Sequence, residues 1–300
     1  MSSIVKPLLG ISRGPFLLLP VALVAAGAAA SAYEGAFSGI RSLWALIGLL
    51  ALHISANALN EASDMQTGID LHTMRTPFSG GSGTLPAGQL TVPLAYAWGL
   101  GAAALGLVIG AWFVIIVGWA LLPIIVIGTF SVLAYTRLLT RLGLGELFAG
   151  LGLGALPVLG ASFVQDGHIG PASVAACIPA FFMTANLLLL NEFPDVEADR
   201  IGDRRHLVIL MGRRGAARLY AAAVLAVPVT LVVAVLARVL PAVALIAALP
   251  TVLAGPALRW AIIRPDEPVP IPAMGGNVAW NLTTNLLLAL LLALAARAGW

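Results

Sequence analysis

The pattern Asn-Glu-x-x-Asp occurs twice in this chain, as Asn60, Glu61 and Asp64 and again as Asn191, Glu192 and Asp195. Each copy stands at the end of a long apolar segment. Carboxylates at membrane depth are costly and mark sites that face a cavity. Two matched acidic clusters call for a shared ligand between them, and the natural bridge between acids is a divalent metal.

The residues around each copy extend the pattern. His53, Asn57, Asn60 and Asp64 follow steps of four, three and four, which place them on one helix face. Gly68 and Asp70 follow, with the glycine ending the helix. Around the second copy Asn191, Asp195, Asp199 and Asp203 recur every four residues and share a face while the helix lasts; Glu192 and Glu197 lie off it. Like charges at that spacing repel, so the array is unfavourable unless a cation occupies it. Mg2+ suits it, because this ion takes oxygen ligands and often binds through few carboxylates together with substrate phosphates. The plainer reading, salt bridges in solvated loops, suits Glu197, Asp203, Asp266 and Glu267 better than Asn60, Asp64 and Asn191, which border apolar helices.

Arginines complete the constellation. Arg75 follows the first motif, Arg204 and Arg205 follow the second, and Arg137 and Arg141 stand just beyond Tyr135. Arginine grips phosphate oxygens through paired donors. Acids for metal and arginines for phosphate at a membrane surface imply a diphosphate carrying a lipid tail. Positive-inside anchoring is a sufficient account of Arg13, Arg213, Arg214 and Arg218.

The elements that must position these residues are membrane helices. Of the 300 residues 60% are hydrophobic and 10% charged, and mean hydropathy is +1.00, whereas a soluble domain carries about 25% charged residues. A spanning helix needs about 20 apolar residues. Nine such segments are predicted, at roughly 14–32, 41–63, 91–110, 112–135, 144–164, 171–191, 216–237, 240–261 and 277–297. Together they form one all-α transmembrane domain over 1–300, arranged about a central cavity with the active site at the cytosolic side. Threading the chain through nine spans puts Lys6, Arg13, Arg75, Arg137, Arg141, Arg200, Arg204, Arg205, Arg213, Arg214, Arg218, Arg259 and Arg264 on one side. Only Arg41, Arg238 and Arg297 fall on the other. That asymmetry predicts a cytosolic N-terminus and an external C-terminus. The basic pI of about 9.5 therefore reflects topology, not nucleic-acid binding. The single cysteine, Cys177, excludes an intramolecular disulfide and a cysteine-based zinc site.

Several features carry less. The loop TPFSGGSGTLPAGQLT lacks the phosphate-loop pattern and follows no strand; its glycines suggest a flexible cap near the first motif. Asn277, Asn281 and Asn285 share a face of the ninth span and are best read as bonding neighbouring helices. His72, His168 and His206 show no metal-ligand spacing. Glu146 is either a helix-end charge or a substrate contact. The copies of the motif are offset by 131 residues, which makes spans two and six equivalent if the fold grew from a duplicated four-helix unit.

With these residues in hand, the chain resembles the UbiA-type intramembrane prenyltransferases. NEASDMQTGID is similar to the first aspartate-rich motif of that superfamily and NEFPDVEADRIGDRRHL to the second, and the likeness extends through YTRLLTRLGLGELFAGLG. Within the superfamily the pattern is most similar to 1,4-dihydroxy-2-naphthoate polyprenyltransferases of menaquinone synthesis. It departs in having Glu61 where aspartate is commoner, Asp203 where glycine is usual and Arg204 where lysine is usual. The lysine expected a turn beyond Tyr135 is absent, and Arg137 or Arg141 stands in for it. The resemblance implies Mg2+ held by Asn60, Asp64, Asp195 and Asp199, with Asp70 and Asn191 assisting. It implies a polyprenyl diphosphate whose leaving group is neutralised by Arg75, Tyr135, Arg137 or Arg141, and Arg204, and a small aromatic acceptor that attacks the allylic cation. It also implies a prokaryotic plasma membrane; oligomeric state stays open. Other acceptors (4-hydroxybenzoate, a tetrapyrrole, a glycerol-phosphate lipid) remain compatible. An ion-coupled transporter would place its acids at the membrane midplane, and a CDP-alcohol phosphotransferase would carry D-x-x-D-G-x-x-A-R, which is absent. A non-catalytic lipid-binding protein is the remaining alternative.

Overall fold

A computed structural model describes residues 4–299, and every regular element among them is helical. Eight helices are long and apolar enough to cross a membrane: Gly14–Tyr33, Gly39–Thr67, Val92–Val117, Gly145–Asp166, Pro171–Glu192, Leu207–Leu236, Ala242–Ile263 and Ile271–Ala298. A shorter apolar helix, Trp119–Leu133, lies between the third and the fifth. With it counted, the chain traverses the bundle nine times, and the ordinals below include it.

The boundaries follow local chemistry. Ser38 caps the second span by accepting from the Arg41 N–H, and Gly68 ends it in the left-handed conformation at φ 82°, a shape that costs glycine nothing. The division between the third and fourth spans falls at Gly118, φ 107°, and not near residue 111 as hydropathy suggested. Ala111 and Trp112 contain no breaker. The seventh span begins at Leu207, nine residues before its predicted start. Its first turns carry Arg213 and Arg214, which a hydropathy reading excludes, and Gly212 kinks it at φ 70°. The ninth begins at Ile271 behind Pro270.

Two π-helical turns shape the site's surroundings. Beyond the fourth span, Leu139 donates to the Ala134 carbonyl at 3.1 Å and Thr140 to the Tyr135 carbonyl at 3.1 Å. Each is a five-residue reach, and such turns concentrate at functional sites. The second, Leu151–Ala155, precedes Pro157, which cannot donate to the carbonyl four residues back.

Lipid offers apolar helices no net drive to associate, so close packing and interhelical hydrogen bonds must hold the bundle. Small residues supply the first. The buried core of the first, sixth and ninth spans is built largely of alanine, including Ala26, Ala30, Ala176, Ala180 and Ala289. Asn277 supplies the second: it accepts from the Tyr220 hydroxyl at 2.9 Å and donates to the Asn186 carbonyl at 3.2 Å. Asn285 instead donates to the Asn281 carbonyl at 2.9 Å, one turn back on its own helix. The expected interhelical bonding by the polar face of the ninth span therefore falls to Asn277. The alternation of spans gathers the ends near residues 13, 67, 92, 140, 192, 207, 264 and 271 at one end of the bundle. Both acidic motifs and all thirteen cations of the richer set belong to that end.

Candidate active site

One pocket at this end collects residues from five elements. It is lined by Arg13, Asn60, Asp64, Asp70, Phe78, Ser79, Gly80, Gly81, Tyr135, Asn191, Glu192, Asp195, Asp199 and Arg204. Asn60 and Asp64 come from the last turns of the second span. Its ending at Gly68 swings Asp70 back towards them in the short helix Ile69–His72. Tyr135 arrives on the first π-helical turn. The second motif does not continue as one helix: the sixth span stops at Glu192, and a new short helix runs from Val196 to Ile201. Pro194 has no N–H to donate to the Leu190 carbonyl four residues back, so the helical ladder cannot continue through it. This break carries Asp199 inward, where it is buried, and leaves Asp203 exposed at φ 57°. The four-residue series therefore ends at Asp199, and Asp203 lies outside the site.

Arg204 sits between the two clusters. Its guanidinium forms ion pairs with Asp64 of the first motif and, at 2.8 Å, with Asp199 of the second. The cation that the array calls for is thus supplied, without metal, by the protein's own Arg204. Arg13, expected to be a topology anchor only, also lines the pocket. It donates to Glu61 at 3.1 Å, and Glu61 in turn accepts from the Ser82 N–H at 2.7 Å and from the Ser82 hydroxyl at 2.5 Å. That relay holds the glycine-rich loop over the first motif, the capping position its composition suggested. Gly81 is required there: at φ 73° an added Cβ would lie 3.1 Å from Asp70 Oδ1.

Two carboxyls outside the spans are strongly perturbed. Burial, reinforced by the charges of Asp64 and Glu61, pushes Asp70 up to about 7. Burial, reinforced by Asp199, pushes Asp195 up to about 7. Asp70 Oδ2 and Asp195 Oδ1 are buried with no hydrogen-bond partner. Asn60 donates its amide nitrogen to Thr136 at 3.4 Å, an arrangement that does not engage its oxygen. Hard oxygen donors, several without a partner, facing each other from two motifs fit Mg2+.

The expected phosphate-binding residues divide. Tyr135 and Arg204 line the pocket. Arg137 and Arg141 line an adjoining cleft shared with Asp64 and Arg204, and Arg137 is held at 3.1 Å from the Tyr96 hydroxyl. Arg75 is exposed, bonded at 3.1 Å to the Asp70 carbonyl, and is not part of the pocket lining. Of the acids assigned to salt bridges, Glu197 pairs with Arg200, Asp266 with Arg214 and Glu267 with Arg264. Behind the pocket, sequence spacing had given no warning of a buried group formed by Glu146, Glu192 and His206. Deeper in the membrane an apolar cavity is lined by Leu49, Leu52, Gly106, Ile109, Phe113 and Leu121. Leu52 stands eight residues from Asn60 along the second span, about 12 Å at the helical rise.

Comparison with known proteins gives a consistent result. The family model described as the UbiA prenyltransferase family matches residues 18–282. The chain is 30% identical over 255 residues to the 1,4-dihydroxy-2-naphthoate octaprenyltransferase of Bacillus subtilis (strain 168), covering 82% of this chain and 73% of that protein. Among solved structures, a UbiA homologue from Archaeoglobus fulgidus bound to GPP and Mg2+ superposes with a TM-score of 0.68 at 13% identity, over 97% of this chain and 99% of that one. The apo UbiA homologue from Aeropyrum pernix K1 gives 0.61 at 18% identity, over 95% and 98%. At those identities the structural likeness speaks for the fold.

Proposed function

This chain belongs to the UbiA prenyltransferase family, and from that premise we propose that it transfers a polyprenyl group from its diphosphate to 1,4-dihydroxy-2-naphthoate, in a Mg2+-dependent reaction of menaquinone synthesis. The observation that carries the reading is the convergence of Asn60, Asp64, Asp195 and Asp199 on one pocket with Arg204 between them. The B. subtilis relative, whose name specifies this acceptor, supports the choice among aromatic substrates.

In this mechanism Asn60, Asp64, Asp195 and Asp199 would hold magnesium, with Asp70 and Asn191 assisting. Bound magnesium supplies positive charge that makes the diphosphate a better leaving group. Arg204 turns from its two carboxylates to the diphosphate oxygens, where its fork donates paired hydrogen bonds. Tyr135 adds a donor, and Arg137 or Arg141 reaches in from the adjoining cleft. The C–O bond of the donor breaks with its electron pair leaving on the diphosphate. An electron-rich ring carbon then supplies the pair for the new C–C bond, and its former substituent departs as a proton or, from a carboxylate, as carbon dioxide, leaving the bonding pair in the ring to restore aromaticity. The loop around Phe78–Gly81 keeps water from the allylic cation. The apolar cavity past Leu52 is suited to the first isoprene units of the tail. Thirteen cations at the site end against three at the other favour a site that opens to the cytosol of a prokaryotic plasma membrane.

The test is a reaction of purified protein with radiolabelled polyprenyl diphosphate and 1,4-dihydroxy-2-naphthoate, with Mg2+ or with EDTA, followed by mass spectrometry of the extracted lipid. A prenylated naphthoquinol formed only with metal is expected. Product with a different acceptor and none with this one would overturn the assignment.

A further inference from the structure

We propose that Glu146, Glu192 and His206 form a second cation-binding site, adjoining the diphosphate pocket through Glu192 and suited to a divalent ion of the manganese, iron or zinc type. The proposal does not depend on the acceptor or on prenyl transfer.

The three residues come from three different span ends. Glu146 lies in the first turn of the fifth span, Glu192 closes the sixth, and His206 immediately precedes the seventh. One ligand atom from each lies within 4.8 Å of the others. All are buried, with exposures of 3%, 6% and 1%. Glu146 Oε1 accepts the Leu207 N–H at 2.5 Å, which fixes the carboxylate and leaves Oε2 to the cluster. Glu146 Oε2, Glu192 Oε2 and both ring nitrogens of His206 have no hydrogen-bond partner. A buried polar atom left unpaired is unfavourable, so four together point to an occupant. His206 aims Nδ1 at Glu192 Oε2, 3.9 Å away, and Nε2 at Asp199 Oδ2, 3.4 Å away.

Chemistry selects the occupant. Two carboxylates and a neutral imidazole carry two negative charges, which one divalent ion balances. The imidazole nitrogen disfavours magnesium and suits manganese, iron or zinc. Metal–ligand bonds of about 2.0–2.2 Å require the three atoms to draw together from their present separations. An ion there would tie three span ends and fix His206 against Asp199, so it would orient a carboxylate of the diphosphate pocket from behind. The competing occupant is a proton: a histidinium would satisfy the same carboxylates and repel a metal.

The experiment is titration of metal-stripped, detergent-purified protein with Co2+ in the presence of excess Mg2+, which fills the oxygen-only sites. Visible d–d absorption reports nitrogen ligation, and equilibrium dialysis reports stoichiometry. One Co2+ per chain with nitrogen ligation is expected, unchanged in Asp64→Asn and Asp195→Asn. His206→Gln and Glu192→Gln should each weaken it about ten-fold or more. The wild-type titration stands on its own if those variants fail to fold: absence of a saturable nitrogen-ligated ion there overturns the proposal. Equal binding in folded His206→Gln, which retains His53, His72 and His168, overturns it too.

Discussion

Replacing Arg204 by alanine separates its structural role from its catalytic one. The side chain is only 13% exposed, and its partners Asp64 and Asp199 are 9% and 3% exposed. Removing one member of a buried ion pair costs about 3–5 kcal/mol, because the partner is left charged and unpaired. Arg204→Ala strands two carboxylates, one at the end of the second span and one on the short helix Val196–Ile201, so a metal-free loss at the upper end of that range is expected. Magnesium offers the same carboxylates another cation. At about 100 times its Kd it returns about 2.7 kcal/mol, more than half the deficit. The assay is thermal unfolding in detergent, followed by tryptophan fluorescence, in EDTA and in saturating Mg2+. Arg204→Ala should melt well below wild type in EDTA and much closer to it in Mg2+. Arg204→Lys should fall between, since lysine keeps the charge without the fork. Catalysis should respond separately: the lost charge-assisted contact of about 1.5–3 kcal/mol raises donor KM about ten-fold or more. An equal melting deficit with and without Mg2+ would refute the idea that arginine and metal share these carboxylates.

Four further outcomes are expected. Asp64→Ala and Asp195→Ala should each abolish prenyl transfer while leaving a folded, inserted protein; substantial activity in both would sink the two-cluster pocket. Asp70 and Asp195 titrate near 7 in the fold against about 3.9 for an unperturbed aspartate. The folded state therefore binds more protons between pH 4 and 7, and metal-free stability should fall as pH rises through that window and flatten above it. Apparent Mg2+ affinity should rise over the same range, and calorimetric titration at pH 5.5 and 8 measures it; equal affinities would contradict the assignment. Finally, a cysteine at exposed Gln89 in a Cys177→Ala background should resist an impermeant thiol reagent added outside intact cells. Rapid labelling would reverse the proposed orientation.

Sequence alone carried much of this. Nine apolar segments, the Gly68 stop, the interhelical bonding of Asn277 and the meeting of both motifs were all legible, because each rests on periodicity or on one residue's backbone preference. What escaped depended on long-range placement. Arg13 and Arg75 are equivalent as sequence, yet the first lines the pocket and the second lies outside it, because helix entry angles decide the matter. Pro194 interrupts the four-residue series and carries Asp199 inward; periodicity by itself cannot weigh that break. Arg213 and Arg214 hid the start of the seventh span: Arg213 donates to the Pro265 and Phe193 carbonyls at 3.0 and 3.1 Å, and Arg214 pairs with Asp266 at the surface. His206 gave no spacing signal, since its partners stand 14 and 60 residues away.

The Arg204–Asp64 pair joins positions 140 residues apart, and this has a consequence for biosynthesis. At about 5–20 residues per second, the second span is made about 7–28 s before its principal counter-ion exists. During that interval Asp64 must enter the bilayer beside a half-built bundle, with Arg13 the one pocket cation already synthesised. A chain arrested before the seventh span therefore exposes an unbalanced carboxylate at a helix end, a defect that membrane quality control can recognise.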